Sequence, residues 1–400
     1  AQAYGMGTLA IVSRAFGQKK PGSAASAVRN AVFIAVLTGI AFATVIFVYA
    51  DEIVIMLGAQ KSVIPTSRDY LRPFGIGLAF QMIALTMNFA IRGTGDMKTP
   101  MLILFVSTIC NVTLDPLLIF GHGPFPRWEV AGAGIATAIS QGLAAVFAIG
   151  VVVTGRTYIR VPITLRFRPD WKLIGNILRI GVPAGMQFLI LSLSFVFVIR
   201  IVADYGEDVV AALGITLRVL HTTSIPVIGI GAAVATLVGQ NLGAKKPDRA
   251  SETTMKAVAV SLAMALALAL TFFVFPEFFV RIFTDDANVV KTGAGAIRVL
   301  AISQLFLAVS IVFQHCFSGS GDTFPAMLSS AIRGGVLIAC ALLLPDLTGW
   351  GVYGVVSSIP VSTFSGMMVF ILFYRTGSWK TRMESLEEEP SVDDMVSISN

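Results

Sequence analysis

A single carboxylate inside a long apolar run is the feature of this sequence best suited to chemistry. Asp115 and Asn111 are four residues apart in the stretch 101–120, so they share one face of a helix. That stretch is long enough to cross a hydrocarbon core, and Pro116 disturbs the helical hydrogen bond one turn earlier. Because a lone ionisable group in an apolar span is costly, these residues indicate a site for an ion or a proton. The alternative is a helix end that reaches the membrane interface, since Gly-His-Gly-Pro follows at 121–124.

The composition is that of an integral membrane protein. Of the 400 residues, 55% are hydrophobic and 13% are charged, whereas about 25% of residues are charged in soluble domains. The mean hydropathy is +0.81. The three cysteines, Cys110, Cys316 and Cys340, lack the spacing of metal ligands, and we find no nucleophile motif or phosphate-binding loop. The sequence therefore predicts neither an enzyme nor a bound metal or organic cofactor.

Apolar runs predict an all-α membrane protein, because helices satisfy their own backbone hydrogen bonds in lipid. Short polar segments divide these runs into ten complete spans and one partial span. The partial span covers 1–16, and the complete spans cover 26–50, 70–91, 98–120, 130–154, 172–203, 209–239, 253–275, 296–317, 323–345 and 350–374.

Lysine and arginine are unevenly distributed between the two sets of connections. Nineteen of the 29 fall on the side that includes the C-terminus, eight fall on the other side, and Arg218 and Arg333 fall within spans. The positive-inside rule makes the richer side cytoplasmic. We therefore expect a multi-pass protein of the plasma membrane with a cytoplasmic C-terminus. The same asymmetry accounts for the net charge of +6 without a nucleic-acid partner.

An internal repeat relates the two halves of the chain at an offset of 226 residues. Gly-Gln-Lys-Lys-Pro at 17–21 returns as Gly-Ala-Lys-Lys-Pro at 243–247, and Gly-Thr-Gly-Asp at 93–96 returns as Gly-Ser-Gly-Asp at 319–322. Both motifs return on the same side of the membrane, so the repeat is parallel. Two lobes of six helices are predicted, twelve helices in the intact protein. Since 171 minus 226 is −55, we expect the first helix and part of the second to precede Ala1.

The repeat also predicts how the chain is divided. We expect an N-terminal lobe at 1–153, a basic cytoplasmic linker at 154–171, a C-terminal lobe at 172–375 and a polar tail at 376–400. In each Gly-x-Gly-Asp loop, the glycines are suited to end one helix and the aspartate to cap the next.

Taken together, these motifs resemble the multidrug and toxic compound extrusion (MATE) family over almost the whole chain. The resemblance rests on Gly-Gln-Asn-Leu-Gly-Ala at 239–244, Arg-Gly-Thr-Gly-Asp at 92–96, Leu-Asp-Pro-Leu-Leu-Ile-Phe at 114–120 and Gly-Val-Pro-Ala-Gly at 181–185. It implies a transporter that exports organic, often cationic, compounds while H⁺ or Na⁺ moves inward. The pattern is closest to the archaeal and related bacterial branch.

In that branch the ion-responsive network lies in the N-terminal lobe. Tyr70, Asn111 and Asp115 resemble three of its members, and the fourth, a carboxylate on the first helix, would precede Ala1. Other branches carry carboxylates in the C-terminal lobe, where this sequence has no acid at that depth. The histidines of this lobe are interpreted chiefly as hydrogen-bonded packing residues. The candidates for a polar cavity there are Gln187, Arg218, His221, Gln304, Gln314 and Arg333.

The leading hypothesis is a secondary antiporter that works by alternating access in the lipid bilayer. Its partners would be small-molecule substrates and the coupling ion, and we expect a monomer. A flippase for a lipid-linked precursor is the alternative within transport, with Arg218 and Arg333 available for a pyrophosphate. A membrane enzyme or a non-transporting receptor is the third hypothesis. The lack of a clustered nucleophile or acid–base pair argues against the enzyme.

Overall fold

The computed structural model describes residues 2–123, 125–155, 157–158, 161 and 167–383. Every regular element in that part of the chain is helical, which confirms the predicted all-α class, and ten of its helices are long and apolar enough to cross a membrane. The α-helices are α1 (Gln2–Gly17), α2 (Pro21–Val48), α3 (Ala50–Met56), α4 (Ile64–Gly93), α5 (Lys98–Phe120), α6 (Glu129–Val153), α7 (Trp171–Ala203), α8 (Glu207–Thr223), α9 (Ile225–Gly243), α10 (Pro247–Val274), α11 (Pro276–Arg281), α12 (Ala287–Ser320), α13 (Phe324–Thr348) and α14 (Val352–Thr376). A 3₁₀ helix follows at Ser378–Lys380.

Several helices begin earlier than the apolar runs predict. α2 begins at Pro21 and not at 26, and α10 begins at Pro247 and not at 253. Proline suits the first turn of a helix, because its missing N–H has no partner to lose there and its φ is already helical. The polar residues that follow each proline belong to the helix, so hydropathy alone predicts the start too late.

The prediction of one continuous helix over 209–239 is wrong. The structure interrupts this segment at Ser224, which separates α8 from α9. Pro226 lies in the first turn of α9 and cannot donate a backbone hydrogen bond to the preceding turn. The Ser224 hydroxyl donates a hydrogen bond to the Leu220 carbonyl oxygen at 2.7 Å. A side chain thus supplies a donor to this backbone carbonyl at the interruption.

The N-terminal compact unit, Ala1–Gly181, is built around α4. This helix packs against α1, α2 and α6, whereas α5 packs chiefly against α6. Small residues allow close approach, since a Cβ at Gly77 would lie 2.9 Å from Ala138 Cα on α6. The beginning of α7 also belongs to this unit, because Ile174 and Ile177 are buried in its core.

The C-terminal compact unit, Val182–Asn400, follows the same plan around α12. This helix packs against α8, α9, α10 and α14, whereas α13 packs chiefly against α14. After α14 the chain stays attached to the unit, because the fully buried Trp379 stacks on Tyr374 with ring centroids 5.2 Å apart. Arg156, Arg160 and Arg166 of the predicted linker lie outside the described residues, as do positions 384–400 of the predicted tail.

Backbone geometry repeats at the offset that the sequence predicts. The helices α2 and α10 cover 21–48 and 247–274, so both of their ends differ by 226 residues. Lys19 and Lys245 precede these helices in left-handed conformations, with φ of 58° and 57°. Few residues other than glycine adopt this conformation, so its recurrence indicates the same turn in both halves.

Helix contacts repeat at the same offset. A Cβ at Gly93 of α4 would lie 3.2 Å from the Leu9 carbonyl oxygen on α1, and a Cβ at Gly319 of α12 would lie 2.1 Å from the Ala235 carbonyl oxygen on α9. Both members of the second pair are 226 residues beyond those of the first. The internal repeat is therefore present in the packing of helices as well as in the sequence.

Candidate functional site

The predicted polar pair lies near the end of α5. Asn111 Nδ2 donates a long hydrogen bond of 3.5 Å to Asp115 Oδ1, and both residues are half-buried. The helix continues through Pro116 to Phe120 and ends at Gly121, whose φ of 73° is left-handed. The structure thus brings together two of the three residues predicted for the N-terminal lobe.

Tyr70 lies near the start of α4 and has a different neighbour. Its ring stacks on Phe74, one turn later, with centroids 5.5 Å apart. Within the described residues it forms no hydrogen bond with Asn111 or Asp115, whose side chains bond to each other. The structure therefore does not join the three residues in one hydrogen-bonded cluster.

The beginning of α6 lies against both α4 and α5 at the level of these residues. A Cβ at Gly134 would lie 2.6 Å from the Tyr70 carbonyl oxygen, and a Cβ at Gly132 would lie 2.6 Å from that of Leu118. Gly132 and Gly134 are two positions apart in the helix, so they differ by about 3 Å along its axis. Tyr70 and the turn that follows Asp115 are therefore packed on α6 at nearly the same height.

The Asn111–Asp115 pair offers oxygen atoms to a proton or a hard cation. The carboxylate has two oxygens, only one of which faces the Asn111 amide nitrogen, and the amide adds its own carbonyl oxygen. Hard cations take oxygen ligands, and a carboxylate held away from water is relieved by protonation. The described residues contain no group of three or more His, Cys, Asp or Glu able to hold a metal ion.

Gln304 of the C-terminal unit lies beside the interruption between α8 and α9. Its side chain is buried, and its Oε1 lies 3.1 Å from Ser224 Oγ, the hydroxyl that donates to the Leu220 carbonyl oxygen. Both residues line a small cavity with room for about one water molecule. The sequence singled out Gln304 and missed Ser224, because that serine falls inside a run predicted as one helix. The other lining residues are Thr223, Val227, Ala265, Leu268, Leu307, Ala308 and Ile311.

The remaining uncharged candidates of this unit do not line that cavity. Gln187 is buried in α7, and Gln314 is half-buried in α12. His221 is exposed in the last turn of α8. His315 is buried, and its Nδ1 lies 2.8 Å from the Ile311 carbonyl oxygen. The predicted packing role of the histidines therefore suits His315 and not His221.

The two arginines predicted inside the membrane have different surroundings. Arg218 is exposed on α8, and its guanidinium carbon lies 5.9 Å from the centre of the Phe283 ring, within range of a cation–π contact. Arg333 is half-buried in α13, and its Nε atom is enclosed without a hydrogen-bond partner. Of these two arginines, only Arg333 has a buried polar atom without a hydrogen-bond partner among the described residues.

The two Gly-x-Gly-Asp loops differ at a position where the repeat predicts equivalence. Asp96 accepts hydrogen bonds from the backbone N–H groups of Lys98 and Thr99, both at 3.0 Å, as predicted for a helix cap. The equivalent of Thr99 in the second loop is Pro325, which has no N–H group to donate.

The aspartate of the second loop, Asp322, is consequently in a different environment. Its side chain is buried between α12 and α13, and this burial raises the pKa of its carboxyl group. The positive charge of Arg382, beyond α14, opposes the rise. The sequence gives no sign of this burial, because the two loops differ by few residues.

Comparison with known proteins gives a consistent result. The family model described as MatE matches residues 1–117 and 183–342. The chain is 26% identical over 382 residues to the Bacillus subtilis protein named "Probable multidrug resistance protein YoeA", a match that covers 94% of this chain and 82% of that protein. It is 27% identical over 320 residues to a Shewanella oneidensis protein named "FAD transporter", covering 79% of this chain and 69% of that protein.

Solved structures share the fold. A crystal structure of MATE in the bent conformation superposes with a TM-score of 0.87 at 21% identity, covering 97% of this chain and 84% of that chain. A transporter of the MOP superfamily from Pyrococcus furiosus, described as having a binding pocket of reverse polarity, superposes with a TM-score of 0.84 at 21% identity. That match covers 97% of this chain and 85% of the other. Identities of this size support a common fold and not a common substrate.

Proposed function

This chain belongs to the MatE family, and from that premise we propose that it is a secondary antiporter that exports organic compounds by alternating access. Members of the family are transporters and not enzymes. We propose further that H⁺ or Na⁺ moving inward drives export and that the substrates are cationic or amphipathic. The protein would act as a monomer in the plasma membrane, with its C-terminus in the cytoplasm.

The observation that carries the proposal is the half-buried carboxylate of Asp115 beside Asn111 in α5. A carboxylate in a membrane-spanning helix is stabilised by taking up a proton or a cation. The energy of the ion gradient can therefore be converted, at this residue, into a change of charge inside the N-terminal lobe.

The change of charge would act on α5 through its local weakness. Pro116 cannot donate the backbone hydrogen bond to Val112, so the helix is more easily bent there. When Asp115 is neutralised from the outside, its need for polar surroundings falls, and repacking of the lobe would release the substrate. Loss of the ion toward the cytoplasm would restore the first state. The ion shifts this balance only by its difference in affinity for the two states.

Other polar residues would have supporting roles. The Tyr70 backbone packs on α6 at nearly the height of the turn that follows Asp115, so Tyr70 would respond to a rearrangement of that turn. In the C-terminal unit, the buried amides of Gln187 and Gln304 are suited to contact a substrate through hydrogen bonds.

The test is export of ethidium from vesicles that contain the protein, under H⁺ and Na⁺ gradients imposed separately. We expect Asp115→Asn to fold and to retain ethidium binding, because the amide is nearly the same size as the carboxylate. Its gradient-driven export should fall to the rate of passive leak, because the amide cannot take up the ion. The matched control is Asp69→Asn, which alters an exposed carboxylate of α4 and should export normally. Wild-type export by Asp115→Asn, with the same dependence on the gradient, would contradict the proposed role of Asp115.

A further inference from the structure

Arg333 is a cation in the middle of a membrane-spanning helix. It lies nine residues after Phe324 and fifteen before Thr348, the two ends of α13. Its distance from the start of the helix, measured along the axis, is therefore about 14 Å. A charge at this depth is costly, and such residues typically mark a binding site or a pathway for a substrate or an ion.

No group in the described part of the chain accounts for this charge. Arg333 forms no salt bridge or hydrogen bond there, and its Nε atom is enclosed and unpaired. The described acidic residues of the C-terminal unit lie near helix ends or in loops, and even Asp346 on the same helix is thirteen residues away. Arg333 is only half-buried, and Nε is the one guanidinium nitrogen that is fully enclosed. Because donors without an acceptor are destabilising at this depth, an acceptor supplied from outside the chain to the terminal nitrogen atoms would stabilise Arg333.

Small residues hold the stem of Arg333 against α14. A Cβ at Gly366 would lie 3.4 Å from Arg333 Cβ and 3.5 Å from its Cδ, so the stem lies directly over this glycine. Ser329, one turn earlier, donates to the Gly366 carbonyl oxygen at 2.9 Å and ties the two helices together at the same level. The next residue, Gly334, faces α7, since a Cβ there would lie 2.4 Å from Ser194 Oγ. The cation is therefore held by packing and not by an opposite charge.

We propose that Arg333 binds an oxyanion, a phosphate or carboxylate group, of the transported compound. A guanidinium presents parallel N–H donors that match the two oxygens of such a group, which a lysine does not. The inference rests on the transport function proposed above and extends it, because it adds an anionic group to substrates expected to be cationic or amphipathic.

The test compares matched dyes binding to the purified protein in detergent. Flavin mononucleotide carries a phosphate that riboflavin lacks, and rhodamine 19 carries a free carboxylate that is esterified in rhodamine 6G. The two dyes with the free anionic group, flavin mononucleotide and rhodamine 19, are called the anionic dyes, and we expect the wild-type protein to bind them more tightly than their partners. Arg333→Gln should weaken the binding of both anionic dyes about ten- to hundredfold, the effect of losing a hydrogen bond to a charged group, and leave riboflavin and rhodamine 6G unchanged.

Two further variants keep the test decisive. Arg333→Lys retains the charge but loses the paired donors, so its affinity for the anionic dyes should lie between those of wild type and Arg333→Gln. If Arg333→Gln fails to fold, the affinity of Arg333→Lys for the anionic dyes still tests the proposal. The matched control is Arg298→Gln, which removes an exposed arginine of α12 and should bind all four dyes as the wild type does.

The results separate this inference from the proposed antiport. If wild type binds neither anionic dye, or if Arg333→Gln or Arg333→Lys binds both as wild type does, the oxyanion site is wrong whatever ethidium export shows. Equal loss of all four dyes would also overturn it. Displacement of flavin mononucleotide by phosphatidylglycerol at micellar concentration would assign the oxyanion to a lipid headgroup and not to a transported compound. Conversely, the protein could bind anionic dyes through Arg333 and yet show no gradient-driven export of ethidium. That result would contradict the proposed antiport and leave the oxyanion site standing.

Discussion

Ionisable side chains at single positions of this protein have three different environments. Asp96 accepts two backbone N–H groups at the start of α5. Asp322, at the equivalent loop of the second half, is buried and faces the charge of Arg382. Arg333 is held by the packing of its stem against Gly366. The residue type alone therefore does not fix the energetic cost of a charge, because the available partners differ.

The Asp322 carboxyl leads to a prediction about pH. Its raised pKa means that the folded protein binds the proton more tightly than the unfolded chain does. The contribution of this carboxyl to stability is therefore fully present below the unfolded pKa, about 3.9, and is lost as the pH rises through the folded pKa. We expect Asp322→Asn to raise the Tm at pH 7.5, because the amide carries no charge to desolvate, and the gain should shrink at pH 4.5.

The matched control for this prediction is Asp96→Asn in the first loop. Asparagine caps helices about as well as aspartate, so its Tm should stay near that of the wild type at both pH values. The measurement is thermal unfolding in detergent. A lower Tm for Asp322→Asn at pH 7.5 would mean that attraction to Arg382 outweighs the cost of burial.

At the scale of helices, close packing depends on glycine at particular positions. A Cβ at Gly319 would overlap the Ala235 carbonyl oxygen of α9, whereas a Cβ at Gly335, within α13, would meet nothing within 4 Å. We expect Gly319→Ala to destabilise the protein by about 1–3 kcal/mol through overpacking. Gly335→Ala should be neutral or stabilise it by up to about 1 kcal/mol, because alanine favours helix.

Thermal unfolding of the two glycine variants gives the comparison. Both add one methyl group to a helix of the same unit, so the difference in Tm reports the contact and not the change in composition. Equal Tm values for the two variants would show that α9 can move away from α12 without cost.

Contacts within one helix could be predicted from the sequence, whereas contacts between helices could not. Asn111 and Asp115 were predictable as a pair because the period of one helix fixes their relative position. Whether Tyr70 joins this pair was not predictable, since that depends on how α4, α5 and α6 are rotated against one another, whereas its contact with Phe74 again follows from the period of one helix. The interruption at Ser224 was missed for another reason: hydropathy is continuous across it, and a proline alone does not say where a helix restarts.

At the scale of the whole molecule, the parallel repeat predicts the sidedness of its equivalent turns. Lys19 and Lys245 occupy the same left-handed turn in the two halves. In a protein with its native cysteines replaced, Lys19→Cys and Lys245→Cys should react with a membrane-impermeant maleimide from the same side. Lys61→Cys, in the exposed turn before α4, should react only from the other side.

The labelling is measured in intact cells and in inverted vesicles. The positive-inside rule expects the two repeat-related cysteines to react in inverted vesicles only. Labelling of Lys19→Cys and Lys245→Cys from opposite sides would contradict a parallel arrangement. Labelling of both in intact cells would retain the repeat and reverse the orientation.

The position of α7 has a consequence for the synthesis of the protein. Ile174 and Ile177, at the beginning of this helix, belong to the core of the first unit. While only α1–α6 have left the ribosome, that core is therefore still incomplete, and it can close only after the next helix has entered the membrane. A gene divided at residue 170 would deprive its first product of both isoleucines, and one divided after residue 181 would cut a helix. Neither division yields two fragments that each carry a whole core and whole helices, so coexpressed halves should assemble poorly at either point.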